Sequence, residues 1–270
     1  MKILLVVLAV VLGLVLLASL GLRMGPAPFP AFTKQEGRLA SASVPEGLPV
    51  PAERFFREIY GDEVPVITSA VISGRATMRV GPLTVPARFR FTHDAGNGYR
   101  HYIEATWFGL PIMRVNEHYL DGRARLELPF GVVENKPKVD QGANLGLWSE
   151  SMWLPAVFLT DERVRWEAVD DATAILVVPF GDEEQRFIVR FEPESGLVQL
   201  FEAMRYKGAD ATAKTLWLNE ARAWGLLGGR LTLTVGSAIW LDEGTPWAVF
   251  TVDEVVYNVD IADYIRERGP

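Results

Sequence analysis

The chain has 270 residues, no cysteine and a formal charge of −7, which becomes −9 once Lys2 and Arg23 near the N-terminus are set aside. The lack of cysteine excludes disulfides, thiolate metal sites and cysteine nucleophiles, and the acidic balance disfavours nucleic acid, which is recognised by cationic surfaces. Beyond its first two dozen residues the chain is long enough for one large all-β domain.

Residues 3–22 read "ILLVVLAVVLGLVLLASLGL", with Ser19 the only polar side chain and no charge. About 20 helical residues at a rise of ~1.5 Å span a hydrocarbon core of ~30 Å. A secretory signal has a shorter apolar region and a small-residue cleavage site, and "LASLGL" is a poor one. Residues 1–24 are therefore expected to be an uncleaved anchor. A short tail before a first span behaves as a signal-anchor, which makes the chain a single-pass membrane protein with its β domain outside the cytoplasm. Residues 25–50 are rich in Pro, Gly and small side chains and read as a tether. The rest, 51–270, is expected to be a single antiparallel β domain. It opens on "PAERFFREIYG", a short helix over 51–60 with Phe55, Phe56, Ile59 and Tyr60 at helical spacing.

From Val66 the period changes to two. "ITSAVISGRATMRV", "LTVPARFRF", "YRHYIEATW", "IMRVNEHYL" and "RARLELPF" form a first group of strands, with turns at "GP", "HDAGNG", "FGLP" and "DG". A helical insertion over 141–159 follows. A second group of strands runs from "RVRWEAV" to "WAVFTVDEVVYNV". Short connections imply antiparallel neighbours, and a meander this long must curl into an incomplete or closed barrel. If His93 opposes Tyr99 across "DAGNG", then Phe89, Phe91, His101, Ile103 and Trp107 share an apolar face, while Arg88, Arg90 and Glu104 share the other.

Few residues advertise chemistry. No nucleophile elbow, phosphate loop or zinc-protease motif is present. His93, His101 and His118 are separated by 8 and 17 positions, which match no short metal motif. His93 and His101 could share a face across one hairpin, a geometry open to ligation. They read as ordinary strand and turn residues, and no metal site and no cofactor are expected. Asp170–Asp171 and Glu183–Glu184 fall at turns, where carboxylates are solvated. Eight arginines between Arg75 and Arg125 face four acids. This reads as an outer face with cross-strand pairs such as Arg90–Glu104, the alternative being a patch for anionic headgroups. The stretch "NLGLWSESMWLP" sets Glu150 among Trp148, Met152 and Trp153. A carboxylate on a helix inside a curled sheet needs a partner. Arg205, Arg163 and Arg165 are the candidates.

The segments "YLDGRARLELPFG", "NLGLWSESMWLP", "RFIVRFEPESGLVQLFEAMRY" and "WAVFTVDEVVYNVDI" resemble a family of uncharacterised, mostly bacterial, membrane-anchored proteins known as a domain of unknown function. The resemblance begins at about Pro51 and implies architecture only. In outline, the meander with its mid-chain helix is similar to the LolA/LolB lipoprotein carriers, which bind acyl chains in the concave face of an incomplete barrel. The lipoprotein cysteine of LolB is missing here. The favoured reading is a non-catalytic, membrane-tethered domain holding an apolar or lipid-like ligand among Phe89, Phe91, Trp107, Trp148, Glu150, Met152, Trp153 and Trp217. The alternatives are a scaffold for another envelope protein and a hydrolase-type enzyme using Glu150 with His101 or His118.

Overall fold

The computed structural model describes residues 2–33 and 36–270; Met1 in the expected anchor and Lys34 and Gln35 in the expected tether lie outside the described residues. The apolar run forms helix α1 (Lys2–Arg23), the one helix among the described residues long and apolar enough to cross a membrane. Two short strands, β1 (Ala40–Ser43) and β2 (Glu63–Val66), pair on either side of α2 (Val50–Tyr60), which buries Phe55 and Phe56.

Thirteen antiparallel strands then build one sheet. The first group is β3 (Ser69–Val80), β4 (Leu83–Asp94), β5 (Gly98–Trp107), β6 (Leu110–Leu120), β7 (Arg123–Leu128) and β8 (Gly131–Glu134). Helix α3 (Pro137–Glu150), a single 3-10 turn (Ser151–Trp153) and α4 (Val157–Thr160) follow. The second group is β9 (Arg165–Asp170), β10 (Thr173–Phe180), β11 (Glu183–Phe191), β12 (Val198–Arg205), β13 (Thr215–Leu227), β14 (Arg230–Trp240) and β15 (Pro246–Tyr257). Spatially the chain starts in the middle at β3 and meanders out to β8. It crosses by α3 to the far edge at β9 and meanders back until β15 pairs with β3. Because β8 and β9 remain edges, the sheet is an open half-barrel. Three hairpins turn through paired positive-φ residues, Phe108–Gly109, Asp121–Gly122 and Gly228–Gly229. This matches the right-handed twist of the flanking strands.

Helix α3 packs against β6 and β7 on one side and β10 and β12 on the other. Its polar residues hold it there. Asp140 accepts from Arg123 and from the Ala124 amide on β7. Gln141 donates to the Met204 carbonyl on β12. Asn144 accepts from Tyr119 Oη on β6 and donates to the Pro179 carbonyl and to Gln185 across the helix. Buried polar groups need such partners, and here they fix the helix to both halves of the sheet at once.

The face assignment around the "DAGNG" turn holds with one correction. His93 opposes Tyr99 and Phe91 opposes His101, and all four point inward. Trp107, at the end of β5, is 36% exposed and lies beside the C-terminal end of α1, where its Nε1 donates to the Ala18 carbonyl. The β5–β6 register shifts between Ala105 and Thr106, where Ile112 of β6 is the extra residue. On the outer face Glu104 pairs with Arg88 and Arg114 rather than with Arg90, which instead donates to Ser73 and the Pro30 carbonyl. All eight arginines between Arg75 and Arg125 find acceptors. Residues 25–33, expected to stand clear as part of a tether, lie on that outer face. Phe29 is buried there against Tyr102, with the Arg88 guanidinium 4.3 Å above its ring.

Candidate functional site

Most of the concave face is filled core, but a partly open cavity of about 100 Å³ remains between the inner face of the sheet and the end of α3. Its apolar wall includes Phe91, Met152, Trp153, Trp217 and Phe250. Polar residues converge on the same space: Tyr99, His101, Glu117, Glu150, Arg205 and Asn219. Of the eight residues expected to face a ligand, Phe91, Glu150, Met152, Trp153 and Trp217 line this cavity. Phe89 and Trp148 are buried in the core without lining it, and Trp107, at the end of β5 beside α1, does not line it either.

Glu150 is the last residue of α3, and its side chain is 20% exposed, toward the cavity. None of the expected arginines holds it. Arg163 pairs with Asp161, and Arg165 with Glu184 and Glu167. Arg205 stands over Trp217 with its guanidinium carbon 4.1 Å from the ring centre. Instead, Oε2 of Glu150 lies 2.7 Å from Nε2 of His101 and 3.3 Å from Nε2 of His93. The His101 ring is clamped between Phe91 and Tyr99, with ring centres 3.9 and 4.0 Å away. Its Nδ1 faces Glu117 at 4.0 Å, and Glu117 accepts a 2.5 Å hydrogen bond from Tyr99 Oη. His118, the other histidine considered with Glu150, does not join this group, since it lies on β6 opposite Arg100 and Arg125.

The electrostatics follow from this packing. Burial alone would raise the Glu150 carboxyl, but His101 and then His93 outweigh it and bring the group down to about 2. Burial pushes His93 below its ordinary value, against the pull of Glu150. Burial also lowers Arg205. Two features were not anticipated from sequence. First, His93, His101 and Glu150 offer three ligand atoms within 4.8 Å of one another. No sequence spacing signals this, because Glu150 reaches the histidines only through the placement of α3. Second, five residues lining the cavity carry buried N–H donors with no acceptor: Trp153, Trp217 and Trp247 at Nε1, Arg205 at Nε and Asn219 at Nδ2. Beside the Glu150–His101 pair, Ser149 and Ser151 donate to the backbone carbonyls of Gly146 and Leu147.

A model described as "Family of unknown function (DUF6544)" matches residues 38–252, and the chain belongs to that family. No curated protein matches. Three solved structures overlap in outline. A LolA superfamily protein from Nitrosomonas europaea has 10% identity and a TM-score of 0.48, over 82% of this chain and 99% of that one. A domain assigned to outer membrane lipoprotein sorting, from Vibrio parahaemolyticus, has 10% identity and a TM-score of 0.44, over 79% and 92%. A DUF1329 family protein from Desulfovibrio piger has 14% identity and a TM-score of 0.44, over 82% and 98%. The likeness to the lipoprotein carriers is one of fold outline alone.

Proposed function

We propose that this family member is a membrane-tethered binding module that takes an amphipathic ligand in the cavity of its half-barrel, apolar end inward and acceptor-rich head against Arg205. The observation that carries this reading is that five residues of an otherwise aromatic wall each keep a buried N–H donor without an acceptor. Buried donors without acceptors are costly, each about 1–3 kcal/mol, and a ligand carrying carboxylate, phosphate or ester oxygens would satisfy them. Among the described residues Arg205 makes no ion pair, so its charge favours an anionic head. The volume limits the apolar end. A dry cavity of about 150 Å³ accepts benzene, so about 100 Å³ takes a few carbons, and the rest of a chain as long as octanoate's lies along the cavity's open side.

The membrane side of the reading rests on α1 and on what surrounds its end. The Gly21 carbonyl accepts from the Phe108 amide at 3.0 Å, and the Ala18 carbonyl from Trp107 Nε1 at 3.1 Å. The β5–β6 turn thus docks on the C-terminal end of α1. The neighbouring β3–β4 and β7–β8 turns lie at the same end of the sheet. This end exposes Leu83, Leu110, Ile112 and Phe130, the last at 94%. Such a rim suits the headgroup boundary of a bilayer, with α1 as signal-anchor and the β domain outside the cytoplasm.

Octanoate is a suitable probe of the cavity, added to the full chain in lipid nanodiscs with empty nanodiscs as control. Octanoate should alter tryptophan fluorescence saturably, through Trp153, Trp217 and Trp247. Uncharged octanol should act more weakly. Arg205→Met should weaken octanoate by tenfold or more. An unsaturable response, together with no lipid retained in native mass spectrometry, would leave the concavity a structural core and end this reading.

A further inference from the structure

We infer that His93, His101 and Glu150 form a binding site for one divalent transition-metal ion of the zinc class, at the inner wall of the cavity. Three observations converge. The first is donor geometry. Nε2 of His101 and Nε2 of His93 approach the same carboxylate oxygen, at 2.7 and 3.3 Å. All three ligand atoms lie within 4.8 Å of one another. A tetrahedral ion with bonds of about 2.0–2.1 Å sets its donors about 3.3 Å apart. His101 and Glu150 would separate by a few tenths of an ångström while the two rings draw together. Glu150 ends α3 immediately before a 3-10 turn.

The second observation is His93 itself. It is fully buried, yet neither ring nitrogen makes a hydrogen bond. Its Nε2 is aimed at the Glu150 oxygen but out of hydrogen-bond alignment. A neutral imidazole with an orphaned nitrogen turned toward a carboxylate and a second imidazole is what a metal ligand looks like before the ion arrives. The third is charge. Among the described residues, Glu117 and Glu150 have no ion pair with arginine or lysine, only with imidazoles. A divalent ion would neutralise the pair. Glu117, facing Nδ1 of His101, would then orient that ligand from behind, the usual carboxylate–histidine–metal arrangement. Two histidines and one glutamate leave a fourth position on the cavity side, and nitrogen–oxygen ligation of this kind suits zinc, cobalt or iron rather than calcium or magnesium.

The test uses the full chain in nanodiscs, free of any purification tag, after treatment with a chelator. Titration with Co²⁺ should produce visible d–d bands that saturate at one equivalent. Zn²⁺ should displace them and raise the melting temperature. His93→Gln and Glu150→Gln should each weaken Co²⁺ by a hundredfold or more. Glu117→Gln, which removes an orienting group and no ligand, should weaken it by ten- to a hundredfold. Should either ligand variant fail to fold, the wild-type chain still decides: bands that never saturate, or a melting temperature unmoved by Zn²⁺, overturn the site. Retention of the bands in folded His93→Gln and Glu150→Gln overturns it equally. None of these readouts depends on an amphipathic ligand, so the site and the cavity reading stand or fall separately.

Discussion

Replacing Asn144 by alanine should cost more than any other single polar truncation on α3, because this residue ties the helix to both halves of the sheet. Its side chain is 4% exposed and makes three hydrogen bonds: 3.1 Å from Tyr119 Oη, 3.0 Å to the Pro179 carbonyl and 2.9 Å to Gln185 Oε1. At about 1 kcal/mol net per bond the loss is about 3 kcal/mol, and partners left dry inside the core push it toward 4 or 5. For a domain of this size each 1 kcal/mol moves the melting temperature by about 2–4 °C, so a fall of roughly 6–20 °C is expected. Tyr119→Phe removes only one of the three and should cost about 1 kcal/mol. The double variant should fall short of the sum by about that amount, because the Tyr119 bond is then counted once. Thermal unfolding of the full chain in nanodiscs measures all three. A loss below 1 kcal/mol for Asn144→Ala would mean that α3 is held by apolar packing alone, and the argument from its polar residues would fail.

Acid should destabilise the domain in two stages. His93 takes up its proton more readily unfolded than folded, so stability falls as pH drops below about 6.5; Glu150 is held at about 2, so its contribution is complete above pH 4.5 and is lost from there down toward 2. Melting temperatures across this range should show both stages, Glu150→Gln should flatten the lower one, and a flat profile from pH 7 to 4 would refute the assignment. Gly74→Ala should destabilise by about 2–3 kcal/mol in chemical denaturation, since a Cβ there would meet the Thr251 carbonyl oxygen at 2.1 Å and backbone cannot yield as a side chain does. Phe130→Ser should leave the melting temperature within about 1 °C, its ring being 94% exposed, yet reduce quenching of domain tryptophans by headgroup-labelled lipid; unchanged quenching would detach the apolar rim from the bilayer.

Much of the sheet was legible because its signals are local. Alternation along β4 and β5, with a turn rich in Asp, Gly and Asn, suffices to set His93 opposite Tyr99 and to turn Phe91 and His101 inward. The helix between the two strand groups announced itself by losing that alternation. What escaped depends on tertiary placement. The packing of β5 against the end of α1 leaves no mark in the residue types, so Trp107 joins the ligand-facing set in the sequence although it sits at the strand's end beside Ala18. Rotation of α3 decides whether Glu150 meets arginine or histidine, and that rotation is set by Asp140, Gln141 and Asn144 reaching strands on both sides. Phe29 finds its pocket between Arg88 and Tyr102, a site formed only after β4 and β5 have paired.

The return path of the chain also sets a timetable for synthesis. The centre of the sheet pairs its first strand with its last, Ala76 opposite Phe250. Every other pairing in the sheet joins neighbours in sequence and can form as soon as the second strand emerges. At about 5–20 residues per second, the inner edge of β3 waits roughly ten to thirty seconds for β15. An unpaired edge of that length invites pairing with other nascent chains. Arg75 and Arg79 stand on this strand, and their later partners Asp253 and Glu243 arrive only with the closing hairpin. Until then both are free cations of the kind that keeps like edges apart. The same two arginines thus guard the seam while it is open and fasten it once it has closed.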